Sequence, residues 1–395
     1  MPILLRHGGS MSLIIIESPN KIKKLRNILG SSYQVVATIG HFMKLSKKNL
    51  GFDDDSFDPS YTMDRDKSKV IKKIVDEAKK HDKIFIATDP DREGEAIAKH
   101  IFMKLPKKGK TIKRVKFNAI TKDAVKKALK KPEDIDENLY LAQTARRLTD
   151  RIVGYKVSPV MWKKGLAKTS AGRVQSVALR YLSDLEKKVR AFVPEEYWKI
   201  RAIFEEGLSA DLISIDGKKV NRLKKSEAAK AKKDLDSGSF TVTNVVRKTR
   251  SIAPKPPFIT STLQQDASNK FSWPSKKTMN VAQSLFGAGL ITYHRTDSIR
   301  VESDKIDSAR DKVEAIYGKN FLSSSKKNWK NANAAQDAHE AIRPTYEQVP
   351  TNLMQDEKKL LKLITGRFLA SQMSDAKIDK TTINIKSDSG KKYVF

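Results

Sequence analysis

The chain has 395 residues, room for roughly two to four domains, and its 39% hydrophobic content supports buried cores, which excludes a wholly disordered protein. Its 78 Lys and Arg against 46 Asp and Glu leave a formal net charge of +32, a surplus that points to a polyanionic partner, nucleic acid ahead of a membrane surface or a ribosome. With no cysteine, disulfides, zinc ribbons and cysteine-based catalysis are excluded; no apolar run approaches the ~20 residues of a membrane span.

Residues 1–10 lack the apolar stretch of a secretory signal and read as an N-terminal extension, because Met11 opens the first clear strand pattern. Leu13-Ile14-Ile15-Ile16 is apolar throughout and runs into Glu17-Ser18-Pro19-Asn20 and a Lys-rich stretch, which predicts a strand buried on both faces, a turn and a helix. Residues 33–39 predict a second strand closed by Gly40. Residues 69–80 predict a helix, with Val70, Ile71, Ile74, Val75 and Ala78 at helical spacing. Ile84-Phe85-Ile86-Ala87 is another buried strand, leading into an acidic turn and a helix near residues 94–103, and residues 114–117 predict a further strand. Strands alternating with helices over residues 11–125 argue an α/β unit with a mostly parallel sheet.

Residues 136–196 have helical patterning, and from Gly172 onward Val174, Val177, Ala178, Tyr181, Leu182 and Leu185 line one apolar face. Residues 197–215 and 239–250 are short β-rich segments with turn signals such as Asp216-Gly217. Pro254, Pro256 and Pro257 mark a domain edge. Residues 258–372 return to helical patterning around a compact polar core, and residues 379–395 are β-like again. No internal repeat is apparent.

Asp89-Pro90-Asp91-Arg92-Glu93 follows directly on a buried strand, where open α/β sheets place their active sites. Clustered carboxylates repel unless a cation relieves them, and Mg2+ is the usual partner. The bland reading is a solvated acidic loop. Glu17 ends the first strand in the same way; if the two strands are neighbours it joins the other acids. A carboxylate crowded by like charge has a raised pKa and can serve as general acid to a leaving hydroxyl. Lys21 lies one helical turn on and could reach a phosphate. This layout resembles the Toprim domain of topoisomerases, bacterial primases and some nucleases, which leaves the reaction open.

Gly289-Leu290-Ile291-Thr292-Tyr293-His294-Arg295-Thr296-Asp297-Ser298 offers a tyrosine able to store a phosphodiester's energy as a phosphotyrosyl ester, with Arg295 suited to phosphate oxygens. Taken alone, a Tyr beside an Arg is more often packing and surface charge. The string resembles that of type IA DNA topoisomerases, nearest the bacterial-type topoisomerase I. Five further stretches agree in order: Ile15-Ile16-Glu17-Ser18-Pro19, the acidic turn through Ala98, Arg146-Arg147 through Tyr155, Ser170 through Ser176, and Pro257 through Gln265. Asp337-Ala338-His339-Glu340-Ala341-Ile342-Arg343-Pro344 closes the series.

The resemblance implies a multidomain type IA topoisomerase-like toroid: an α/β Toprim domain plus helical domains and a partial β-rich arch. The corresponding segments are an extension (1–10), the Toprim domain (11–135, with an excursion near 44–62) and a helical DNA-binding domain (136–196). An arch segment (197–256), the tyrosine domain (257–352) and an incomplete return into the arch (353–395) follow. It implies Tyr293 as nucleophile with Arg295, Lys21, Glu17 and His339 as catalytic neighbours. Mg2+ would be held by Asp89, Asp91, Glu93 and Glu17, and DNA by Arg146, Arg147, Asp150, Arg173, Gln175 and Arg343. The implied activity is ATP-independent relaxation of negatively supercoiled DNA through single-strand cleavage, strand passage and religation, in a cytoplasmic, nucleoid-associated protein. There are two departures. His294 stands where the family most often has methionine and reads as filling space. Ala119, in Phe117-Asn118-Ala119-Ile120-Thr121, stands where the family often has glutamate. The chain also reads as C-terminally truncated, with a separate C-terminal chain or domain as a possible partner. Three alternatives therefore stay open: another Toprim enzyme, a non-catalytic single-strand-binding fragment, and cleavage without strand passage.

Overall fold

The computed structural model describes residues 11–47, 50–166, 168–331, 339–346, 349 and 351–395. The expected N-terminal extension and the Asp337-Ala338 part of the motif before His339 lie outside these described residues. The chain forms two compact units, residues 1–178 with 254–374, and residues 179–253 with 375–395.

In the first unit, β1 (Ser12–Ile16) leads through a 3-10 turn to α1 (Ile22–Leu29) and β2 (Tyr33–Ala37), followed by the small antiparallel pair β3 (Met43–Leu45) and β4 (Tyr61–Met63). Then come α2 (Ser68–Ala78), β5 (Lys83–Ile86), α3 (Arg92–Lys104), β6 (Thr111–Arg114) and α4 (Lys122–Lys130). The main sheet is parallel, with strand order β2-β1-β5-β6. The last strand ends at Arg114, where the sequence pattern had it begin, because the buried Arg114 is the strand's final residue and not an edge of an apolar run.

Two-faced burial explains why β1 is apolar throughout. Leu13 and Ile15 pack with Ile71, Ile74, Ile97 and Ile101 of α2 and α3. Ile14 and Ile16 join a second core with Leu25 and Val125, which continues into Leu263, Leu285, Phe286, Ile291 and Ile364. Those residues belong to the helices at residues 260–271, 275–287 and 355–370, after the proline-rich edge, and to the segment carrying Tyr293. The core over residues 258–372 is mixed: these apolar side chains are joined by buried Thr292, His294, Thr296, Ser298, Glu340 and Arg343.

The helical region is α5 (Glu137–Ile152), a π-helical turn (Val153–Val157), α6 (Ser158–Lys163) and α7 (Gln175–Arg190). Asp136 caps α5 through the amide of Leu139. The α7 stripe does not behave as its periodicity suggests: Val174, Val177, Tyr181, Leu182 and Leu185 are all exposed. Helical spacing specifies an apolar face, but no described element packs against this one.

The second unit holds β7 (Arg201–Ile203), β8 (Ser209–Asp211), β9 (Ser214–Ile215), β10 (Lys218–Lys219), α8 (Lys225–Asp236) and β11 (Phe240–Ile252). After α9 (Thr260–Phe271), α10 (Ser275–Gly287), α11 (Ser303–Tyr317) and α12 (Gln355–Ala370) of the first unit, the chain returns as β12 (Ala376–Asp388) and β13 (Lys392–Val394). The return begins at Asp375. α12 lies before it, because Leu360, Leu363 and Ile364 belong to the core of α9 and α10. The second unit's sheet runs β10-β9-β13-β12-β11, over a core of Leu212, Leu235, Ile385, Tyr393 and Phe395. Among the described residues no helix is long and apolar enough to cross a membrane.

Candidate active site

Strand order builds the site. β1 and β5 are hydrogen-bonded neighbours, with Ile15 opposite Ile86. The turns that leave their carboxyl ends therefore carry Glu17 and Asp89 side by side. Asp91 caps α3 by accepting from the amide of Gly94 at 2.8 Å, which fixes the acidic turn on the helix start. Gly94 is required there: a Cβ would meet the carbonyl oxygen of Asp89 at 2.0 Å.

Behind the turn lies Arg114, fully buried. Its guanidinium donates to the carbonyls of Ile86, Thr88, Asp89 and Val115 at 2.8–3.1 Å and to the Glu95 carboxylate at 3.1 Å. Glu95 in turn accepts from the amide of Asp136, at the start of α5, at 2.9 Å. One buried arginine thus braces the acidic turn and, through Glu95, links α3 to the start of the helix at residues 137–152.

Tyr293 meets the acidic turn at Asp91. Its amide donates to the carbonyl of Asn118 at 2.7 Å, and Thr292 bonds the carbonyls of Ala341 and Arg343, which pins the segment to its neighbours. The ring is 2% exposed, edge-on to Phe286 at 5.2 Å and near-parallel to His339 at 6.3 Å. The hydroxyl donates a short hydrogen bond to the Asp91 carboxylate. Burial first, then the Asp91 and Asp89 charges, holds the phenol far above its ordinary pKa, while Arg295 opposes them. Arg295 itself is exposed.

Lys21 is 2% exposed; its ammonium pairs with Asp89 and sits 4.7 Å from the Phe286 ring centroid. Glu17 is pushed up to about 7, by burial more than by Asp89 and Asp91, with Lys21 and His41 lowering it. Like-charge crowding, the cause expected from sequence, is thus secondary. Glu93 turns elsewhere: its carboxylate bonds the His41 ring and the Gln143 amide, each at 3.1 Å. The His41 bond does most to lower it to about 2.

Among the described residues no group of three or more His, Asp and Glu is arranged to hold an ion in this structure, and Glu93 bonds His41 and Gln143. Asp89 and Asp91, both raising the Glu17 pKa, remain the negative pair of the pocket, and Mg2+ needs only one or two carboxylates plus waters and phosphate oxygens. The donor set fits the ion at these two residues, with Glu17 beside them.

The residues expected to meet DNA separate into two groups. Arg147, Asp150 and Arg151 line a cavity of about 380 Å³ with Tyr155, Trp162 and Ser170. Arg173 grips Asp150 through two bonds at 2.9 and 3.2 Å, Gln175 bonds Ser170, and Arg146 is exposed. The π-helical turn presents Tyr155, with Arg151 over its ring at 4.7 Å. Arg343 departs from expectation. It is 4% exposed and paired with Glu340 at 2.8 Å, so its guanidinium is spent on the fold beside Thr292 and does not reach a surface.

Sequence reasoning missed His41, Gln143, Phe286, Asn118 and Arg114. None carried a local signal: Arg114 closes β6, whose Thr111, Ile112 and Lys113 are not an apolar run, and the others meet the site through contacts remote in sequence. His294 is 1% exposed, and neither ring nitrogen has a partner among the described residues.

A Toprim-type acidic turn closed by a tyrosine hydroxyl defines a class of DNA-processing protein, and similarity to known proteins agrees. The Toprim domain model matches residues 12–120 and the DNA topoisomerase model residues 134–394; the chain belongs to the type IA DNA topoisomerase family. It is 42% identical over 409 residues to DNA topoisomerase 1 of Campylobacter jejuni subsp. jejuni serotype O:2, covering 97% of this chain and 58% of that protein. Full-length topoisomerase I from Thermotoga maritima matches with a TM-score of 0.81 at 35% identity, over 97% of this chain and 64% of that one. The chain thus spans about three fifths of the length of the curated relative.

Proposed function

We propose that this chain cleaves single-stranded DNA through Tyr293 and reseals it, relaxing negative supercoils without ATP. The observation that supports the reading is the contact of the Tyr293 hydroxyl with Asp91, one of the acids of the Toprim turn. In the reaction the tyrosine oxygen bonds the scissile phosphorus, and the bond from phosphorus to the 3′ oxygen breaks, leaving a 5′-phosphotyrosyl ester. The tyrosine proton passes first to Asp91, already its hydrogen-bond acceptor. Glu17, with its pKa near 7, is available in protonated form at neutral pH and donates to the departing 3′ oxygen. Lys21 and Arg295 neutralise the phosphate, and His339, kept neutral by burial, orients it through hydrogen bonding. Resealing runs the same steps backwards, and the ester conserves the bond energy, so no nucleotide is consumed. Asp89 and Asp91 would hold Mg2+, which would supply charge neutralisation for a DNA phosphate.

The strand reaches the pocket along Arg146, Arg147, Arg173 and Gln175, and the cavity beside Tyr155 and Trp162 is suited to stacking a base. The test is relaxation of negatively supercoiled plasmid with Mg2+ and no ATP. The reading expects relaxed topoisomers from the chain and none from Tyr293→Phe. Nicking that survives in Tyr293→Phe would replace it with the nuclease reading of the Toprim domain. Adducts without relaxation would confine the function to cleavage.

A further inference from the structure

The second unit carries a basic surface that the cleavage chemistry leaves unused. β11 and β12 pair antiparallel along almost their whole length, and β13 joins β12 only at residues 386–388. Residues 244–252 and 376–384 therefore form a two-stranded ribbon, and nearly every side chain on it is exposed. Residues directly opposite one another share a face. One face carries Val246 opposite Thr382, Lys248 opposite Lys380 and Arg250 opposite Ile378. Lys248 and Lys380 are like charges in direct cross-strand register, an arrangement that costs stability unless an anion lies over it. The ribbon's one carboxylate, Asp379, is on the other face, where it accepts from the Thr249 hydroxyl at 2.7 Å. None of the described ion pairs involves Lys248, Arg250 or Lys380.

We infer that this face is a docking surface for duplex DNA, separate from the single-strand path near Tyr155. A two-stranded ribbon is narrow enough for the major groove, and its cations can reach phosphates on either side. Single-strand binding sites use aromatic platforms on which bases stack. The ribbon has no Phe, Tyr or Trp, whereas the cavity at Tyr155 and Trp162 has both aromatic faces and arginines. The two surfaces thus divide the work: one holds a strand for cleavage, the other holds uncut duplex through its backbone. The inference rests on the proposed action on DNA.

The experiment compares the full chain with a Lys248→Gln/Arg250→Gln/Lys380→Gln variant in fluorescence-anisotropy titrations against a 20-base-pair duplex and a single-stranded oligonucleotide over a salt series. Loss of three phosphate contacts predicts a duplex salt slope shallower by about 2 to 3, with duplex affinity down roughly tenfold or more at ~0.1 M salt. Single-strand affinity and covalent adduct formation stay within about twofold. An Arg247→Gln/Lys377→Gln variant on the opposite face should change duplex binding much less. Unchanged duplex binding in the triple variant, or an equal loss on single strands, overturns the inference. Failure of the parent chain to form any adduct would instead count against the cleavage reading, which the same titrations leave separable.

Discussion

A Cβ at residue 94 would fall 2.0 Å from the carbonyl oxygen of Asp89, inside the turn that carries the acids. Gly94→Ala must therefore push the turn off α3 and break the Asp91 cap. We expect a loss of about 2–4 kcal/mol in stability with a large drop in adduct formation, read by thermal melt and oligonucleotide trapping. His294 gives the opposite expectation. Its ring is buried with no hydrogen-bond partner among the described residues, and burial lowers its pKa to about 3, so it is neutral at working pH. Replacement by methionine removes two unsatisfied polar atoms at similar volume. His294→Met should raise stability by about 1 kcal/mol and leave cleavage within severalfold. A cleavage loss of a hundredfold would show that the imidazole does more than fill space.

At the scale of elements, His100 on α3 is enclosed by the rings of Tyr61, Tyr140 and Phe42, with centroids 4.6, 6.0 and 6.2 Å away. Burial depresses its pKa to about 4, below the usual 6.5, so the fold holds the neutral ring. That contribution is complete above pH 6.5 and is lost as pH falls towards 4, where protonation favours the unfolded chain by up to about 3 kcal/mol. Denaturant melts between pH 7 and 4 should show this slope, and His100→Phe should flatten it. An unchanged slope would refute the assignment. These elements also show what the sequence could and could not disclose. The apolar run of β1 and the acids after β5 were readable, because a strand buried on both faces has a distinct composition and its outgoing turn is short. Their adjacency, conditional from sequence, is supplied by the β2-β1-β5-β6 order. Glu93's partners His41 and Gln143 were invisible, since they lie 52 and 50 residues away with no periodic signal. Arg343 sits in a recognisable motif, yet burial against Glu340 is a tertiary fact that no motif encodes. The α7 stripe was legible as a pattern and misleading as a statement about burial.

For the whole molecule, the net charge of +32, the Toprim turn and the tyrosine segment all support the proposed transesterification of a DNA strand. The first unit alone brings together Glu17, Lys21, Asp89, Asp91, Tyr293 and His339, so the proposed cleavage belongs to that unit and the proposed duplex docking to the second. The most direct test is covalent trapping on single-stranded oligonucleotides labelled on either side of the cleavage point, denatured and resolved by gel. The account predicts protein linked to the 5′ end of the downstream fragment, a free 3′-hydroxyl on the other, and no adduct from Tyr293→Phe. An adduct that persists in Tyr293→Phe, or one on the 3′ end, would contradict it.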